Sequence, residues 1–259
     1  MQSQLVLAIR KILNETKQDK TCRTFCSKRG YSVYLPFLGS TNQPAYCFLG
    51  ASPAGFDVAE SPSHAEDYIE WGTNYFQDEK NDRASVHGYL PYTSNTTNDY
   101  QAFGSSSLLI HLVPIVTPKS SDISPSLIRN CWPRTKTLLE AVQPKLIFLH
   151  GSSAWKFLIG LEDGDECQLT DLPEYLAHPV ADLYDKVEAE KLAFQSRWLG
   201  LPDDYRPVIV PLAHLAGSTA SKDNKKKAEA AVSRAKRLHS NADVPVVAGG
   251  RIRIVRKVP

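Results

Sequence analysis

The chain has no long hydrophobic run. No apolar stretch approaches the ~20 residues of a membrane-spanning helix, so a membrane partner is not expected. Met1–Lys20 lacks the uninterrupted apolar centre of a secretion signal, and a cytoplasmic location is expected by default. Neither a Gly-x-Gly-x-x-Gly sequence nor a Walker loop is present, which weighs against a nucleotide-binding protein built on a phosphate-cradling glycine turn. The cysteines, Cys22, Cys26, Cys47, Cys131 and Cys167, are odd in number, which argues against a disulfide framework. Cys22 and Cys26 form a Cys-x3-Cys pair, but no second tight pair follows, so free or buried thiols are favoured over a metal site. Charge of one sign is not in excess either: the net charge is only +2. Internal repeats are absent.

What is present suits a globular protein. At 259 residues, 42% hydrophobic and 22% charged, the chain can bury a full core, and one domain over residues 1–259 is expected. Basic residues gather after position 220: Lys222, Lys225, Lys226, Lys227, Arg234, Lys236, Arg237, Arg251, Arg253, Arg256 and Lys257. This basic helix and tail, 222–259, fits a phosphate-contacting surface or an ordinary solvated face.

Four short, nearly continuous apolar runs read as buried parallel strands: Tyr46–Leu49, Leu108–Val113, Lys145–His150 and Pro207–Leu212. Helical patterns separate them. Met1–Lys20 carries Leu5, Ile9, Ile12 and Leu13 on one face; Ala65–Phe76, Ser126–Val142, Ser153–Leu158 and Lys225–Leu238 come after it, with Pro133 a possible kink site in Ser126–Val142. Alternation of strand and helix predicts an α/β fold, three layers α/β/α around a central four-stranded, mainly parallel sheet. Two insertions stand outside this pattern, a loop-rich one near 78–104 and an acidic one near 161–204. Ligands of such sheets sit beyond the carboxyl ends of the strands. Here those ends are Gly50-Ala51-Ser52-Pro53, His111 to Pro114, His150-Gly151 and His214.

In this order the residues resemble the uracil-DNA glycosylase superfamily. The similar elements are a Gly-x-x-Pro loop at Gly50–Pro53, a strand ending in a proline-containing turn, the block Pro144–Ala154 (Pro-Lys-Leu-Ile-Phe-Leu-His-Gly-Ser-Ser-Ala), and a histidine loop at His214. The resemblance spans roughly residues 45 to 222 and leaves both insertions unexplained. It implies a uracil-DNA glycosylase-like fold and a hydrolase that cuts the bond between sugar and base. In Pro144–Ala154 it implies that the glycine lets the next helix pack closely. Cleavage of that bond builds an oxocarbenium-like sugar and an anionic base, and an enzyme accelerates it by stabilising both charges. The target base must first be rotated out of the duplex or met in a single strand.

Carried residue by residue, the resemblance makes His214 the donor to the departing base; the alternative is a capping or structural histidine. Leu215 falls where a wedge residue would enter the stack, and Gly217, Ser218 and Lys222 continue that DNA-facing loop. Gly50, Ala51 and Pro53 form the first loop, where small residues allow close approach to phosphates. This chain departs from most members there, because Ser52 or Ala51 stands where many carry an acid or amide. Asp57 is the first choice for a carboxylate near the sugar and Glu60 the second; both fit solvated loop acids equally. For base reading, His111 stands where uracil-specific members place an asparagine. An imidazole presents its donor and acceptor on different sides of the ring and cannot copy an amide's paired contact. Ser52 and Phe56 line the same expected pocket, Phe56 as an aromatic platform ahead of Trp71, Tyr75 and Phe76. Tyr89, with Tyr92, Asn95 and Asn98, could receive a bulky substituent.

The resulting expectation is a monofunctional glycosylase, monomeric, acting on DNA, single- or double-stranded, and leaving an abasic site. A modified cytosine, such as the hydroxymethylated or glucosylated cytosine of phage DNA, is favoured over plain uracil, which opens a role in phage defence. The alternatives are a uracil-DNA glycosylase of base-excision repair and a catalytically inactive DNA-binding module on the same fold. Some members hold an iron–sulfur cluster on four cysteines. Cys22, Cys26 and Cys131 fall in similar places, but the fourth position is near the apolar Ile115, so no cofactor is expected and the purified protein should be colourless.

Overall fold

The computed structural model describes residues 2–29, 33–53, 61–81, 84–93, 99–117, 123–151, 154, 194–196, 201–202, 205, 207–212, 222–240, 244–248 and 251–255. The chain divides into two compact units, Met1–Pro144 and Lys145–Pro259. Both combine strands with helices, an α/β architecture compatible with three layers.

In the first unit, α1 (Gln2–Gln18) buries Leu5, Ala8, Ile9, Ile12, Leu13 and Thr16. That spacing of three and four residues is the apolar stripe of an amphipathic helix, and it packs on α3 (Ala65–Asn74) and α6 (Pro125–Val142). The short helix α2 (Lys20–Arg29) comes immediately after α1, capped by Asp19, whose Oδ1 accepts from the Cys22 N–H at 2.9 Å. At the start of α6, Ser124 caps the helix by accepting from the Leu127 N–H, and Pro125 fills the first turn, where its missing N–H costs nothing. At the other end Gln143 adopts a left-handed φ of 50° and donates to Leu139 O, and Pro144 prevents continuation. Pro133 lies inside α6, exposed, and the helix runs past it without a break.

The sheet of this unit runs in the order β1 (Phe37–Gly39), β3 (Ser107–His111), β2 (Tyr46–Gly50). The two strands expected from sequence, β2 and β3, pair in parallel, and β1 joins β3 antiparallel. All five residues of β3 are buried, as are four of five in β2, as expected for strands covered on both faces. Gly39 is required at the end of β1: its φ is +97°, and a Cβ there would collide with the Ser107 carbonyl.

In the second unit, β4 (Leu146–His150) and β6 (Val208–Leu212) pair in parallel. The helix here called α7 (Lys222–Ser240) packs on both, burying Ala228, Ala231, Val232 and Ala235 and exposing Lys226, Glu229, Lys236 and Arg237. Three further strands complete this sheet: β5 (Phe194–Ser196), β7 (Val244–Ala248) and β8 (Arg251–Val255), in the order β4-β6-β5-β7-β8. β5 is antiparallel to β6 and parallel to β7, and β7 is antiparallel to β8.

The four-stranded expectation is therefore corrected. All four expected strands form, and β1, β5, β7 and β8 add to them. β1 and β5 have three residues each, too few for any periodicity to register, and their partners define them. The expected basic tail after α7 is instead a pair of strands, β7 and β8. Its basic residues interrupt an alternation in Arg251–Val255, and Gly249-Gly250 before it is a composition suited to a two-residue hairpin turn. The stretch near 78–104 is not simply loop. Its described residues hold a 3-10 turn at Ala84–Tyr89 and two short helices, α4 (Leu90–Thr93) and α5 (Tyr100–Ser106), and a further 3-10 turn, Tyr75–Gln77, immediately precedes it. Val86, Tyr89, Leu90 and Phe103 anchor it in the core, at spacings too irregular to read as a helix. Of the helix expected over Ser153–Leu158 only Ala154 is described, and of the insertion near 161–204 only β5 and residues 201–202. Among the described residues no helix is long and apolar enough to cross a membrane.

Candidate functional site

The carboxyl ends of β2 and β3 form the best-defined rim. Parallel pairing puts Gly50 in register with His111. The pairing continues past both strands, because Leu112 N–H donates to Gly50 O at 2.8 Å and Val113 N–H to Ala51 O at 2.9 Å. The first loop is thus fixed to the chain leaving β3 through at least Ala51. Ser52 then turns inward: it is buried, with its hydroxyl 3.2 Å from that of the buried Thr117. Pro53 is buried as well. His111 is only 2% exposed, and its carbonyl accepts from Thr135 Oγ1 of α6 at 3.1 Å. A second layer of pairing supports the turn after β3: Leu35 N–H donates to Pro114 O, Val116 N–H to Val33 O, and Tyr34 bridges Ile115 antiparallel.

Gly50, Ala51, Ser52, Pro53 and His111 therefore gather at one rim of the first unit. Tyr89 lies in the core behind it, its ring 4.8 Å from that of Phe48 in β2. Trp71, Tyr75 and Phe76 continue an aromatic chain that reaches Phe103 and so Phe48. In these positions the aromatic rings fill the core between the helices and the sheet.

A second rim occupies the carboxyl ends of β4 and β6. His150 is in register with Leu212, and Gly151 N–H donates to Leu212 O at 3.0 Å. Gly151 has a φ of +89°, and among the described residues no atom would lie within 4 Å of a Cβ there. Backbone conformation, rather than close approach, is the visible reason for this glycine. Lys222 opens α7. Phe56, Asp57, Glu60, Tyr92 as a side chain, Asn95, Asn98, His214, Leu215, Gly217 and Ser218 lie outside the described residues.

The remaining group of reactive side chains lies between α2 and α6, where Cys22 and Cys131 are in contact, Sγ to Sγ 3.7 Å. Arg134, buried one helical turn from Cys131, directs Nη2 at both sulfurs, 3.8 Å from Cys22 and 3.7 Å from Cys131, and donates to Asn130 Oδ1. Asn130 in turn donates to Asp19 Oδ2 at 3.1 Å. Cys26 Sγ lies 3.9 Å from the Tyr34 hydroxyl. Hydrogen bonding between the two sulfurs pulls the Cys131 thiol down and pushes the Cys22 thiol up; Arg134 reinforces the first, and burial the second. Burial pushes Cys26 and Cys47 up. These residues do not make a four-thiolate cradle: Ile115 supplies no ligand, and a guanidinium is directed at the sulfurs. Among the described residues no group of three His, Cys, Asp or Glu is arranged to hold a metal ion. Sequence reading singled out the thiols but missed Thr117, Thr135, Asn130 and Arg134. Of these, only an arginine inside the apolar stripe of Ser126–Val142 was a visible signal.

No protein-family model matches the chain, and no curated protein matches it.

Proposed function

We propose that the chain is a monofunctional DNA glycosylase of uracil-DNA glycosylase-like fold that hydrolyses the bond between deoxyribose and a flipped-out pyrimidine. The observation that carries this reading is the rim of β2 and β3. There a small-residue turn, Gly50-Ala51-Ser52-Pro53, stands in register with a histidine-bearing strand end. Small residues on a fixed backbone suit close contact with phosphates. The reading assigns His214 to the departing base, where a hydrogen bond to the developing anion is worth about 10²–10³ in rate. Asp57, or Glu60 after it, is assigned to the sugar cation. Gly217, Ser218, Leu215 and Lys222 are assigned to the DNA strand.

An imidazole at position 111 favours a base other than uracil, and modified cytosine is the proposed substrate. The reading takes the protein to be monomeric and cytoplasmic, and removal of hydroxymethylated or glucosylated cytosine would direct it at phage DNA. The test is incubation with oligonucleotides carrying uracil, cytosine, hydroxymethylcytosine or glucosylated hydroxymethylcytosine, in single and double strands, and then treatment with alkali. Strand breaks with a modified cytosine are the expected result. Breaks with uracil alone would return the protein to uracil excision.

One observation favours a second reading. Ser52, at the place where many glycosylases carry an acid or amide, is buried against Thr117. A chain with no carboxylate at the sugar could bind modified DNA without cutting it. Binding of the same oligonucleotides without any alkali-labile product would establish that reading.

A further inference from the structure

The thiol pair between α2 and α6 has no part in glycosylase chemistry. Cys22 and Cys131 lie 109 positions apart in sequence, yet their sulfurs touch at 3.7 Å, both side chains fully buried. The helices that carry them are held together by an independent polar network. Asp19 caps α2 and accepts from Asn130 of α6, while Arg134 reaches from α6 to the Cys22 sulfur. Two sulfurs held in van der Waals contact need only a small displacement to bond. The nearby guanidinium favours the thiolate, the form that reacts. Arg134 is 6% exposed, its Nε has no hydrogen-bond partner among the described residues, and the carboxylate that faces it, Asp19, is reached through Asn130. Its Nη2, directed at both sulfurs, can stabilise a negative charge on either of them.

We propose that Cys22 and Cys131 are a site of reversible oxidative modification, closing to a disulfide that staples α2 to α6. The oxidant is a small peroxide, hydrogen peroxide being the simplest. The Cys131 thiolate attacks one peroxide oxygen, the O–O bond breaks and hydroxide leaves, giving a sulfenic acid. The Cys22 thiol then attacks that sulfur, the S–O bond breaks, and water leaves with the thiol proton. Two thiols are oxidised and one peroxide is reduced to two waters. A dithiol reductant reverses the change by thiol–disulfide exchange. Burial of both sulfurs restricts the reaction to oxidants small enough to enter on local opening of the ten-residue α2. Cys26, beside Tyr34, takes no part.

The experiment is titration of the full-length reduced protein with hydrogen peroxide, then alkylation of remaining thiols, proteolysis and mass spectrometry. The expected product is a peptide pair joined through Cys22 and Cys131, lighter by two hydrogens and absent after reductant. Because the bond closes a long loop, the thermal midpoint of the oxidised protein should rise by roughly 5–10 °C. Cys26→Ser should retain the cross-link, while Cys22→Ser and Cys131→Ser should each abolish both the cross-link and the rise. If the serine variants fail to fold, the Cys26→Ser protein and the wild type decide the matter alone. Over-oxidation of Cys131 without a cross-link, a Cys22–Cys26 bond, or loss of the cross-link in Cys26→Ser would each overturn the proposal.

Discussion

The two strand rims make an instructive pair. Each ends a parallel two-strand ladder, β2 with β3 in the first unit and β4 with β6 in the second, and each extends its ladder beyond the last strand residue by backbone hydrogen bonds. They differ at the residues that end the ladder. After β2, the chain is drawn inward: Ser52 meets Thr117, Pro53 is buried, and Thr135 ties the β3 terminus to α6. At the end of β4, Gly151 adopts a positive φ. Among the described residues, the first rim shows side-chain hydrogen bonds to neighbouring segments, and the second shows a backbone conformation that only glycine adopts readily. Strand geometry alone, then, does not dictate how a rim is finished.

The largest expected effect is at position 214. On the proposed chemistry, His214→Ala should lower excision by about 10²–10³-fold while leaving DNA affinity within about threefold, measured by single-turnover cleavage and fluorescence anisotropy. Equal losses in both would make His214 a DNA-binding residue instead. Next in size is Gly151→Ala, which forces a side chain onto a φ of +89° and should cost about 1–2 kcal/mol in urea unfolding. A neutral result would mean that the second rim can relax. Ser52→Ala in the first rim should cost about 1 kcal/mol, and a cycle with Thr117→Val should give a coupling of about 0.5–1 kcal/mol. Additive effects would show that the two hydroxyls do not act together.

The smallest effect concerns the cap of α2. Burial pushes the Asp19 carboxyl up, but the hydrogen bonds from the Cys22 N–H and Asn130 prevail and hold it below the usual carboxylate range. A carboxyl lowered on folding contributes its stability above the unfolded value and loses it as pH falls through the lower, folded one. Stability should therefore be constant in this respect at neutral pH and decline in the acid range. Asp19→Asn should flatten that decline, read from unfolding midpoints across pH. An unchanged acid slope would remove Asp19 from the interactions that hold α2 to α6.

Much of the fold was legible because its signals are local. The runs at β2, β3, β4 and β6 are continuous in apolar residues, and α1 and α6 carry stripes at helical spacing, α6 with a capping residue at each end. The missed strands are instructive for the same reason. β1 has no pattern of its own and exists through Phe37, Leu38 and Gly39 meeting Ile110, Leu109 and Leu108. The hairpin strands β7 and β8 did have a pattern, obscured by their arginines. At the candidate site, strand-end position correctly drew Gly50 and His111 to the same rim. It could not reveal that Ser52 faces Thr117, since nothing near either residue in sequence refers to the other.

The amino-acid sequence by itself determined the longer elements, β2, β3, β4, β6, α1 and α6, and which residues lie at the ends of those strands, because backbone propensity and hydrophobic period act over a few residues. The tertiary structure alone decided that Cys22 meets Cys131, that Arg134 reaches both sulfurs, and that His111 is buried. Such contacts join residues a hundred positions apart, and they are fixed by how helix faces and strand registers pack together, a property that no local window of sequence contains.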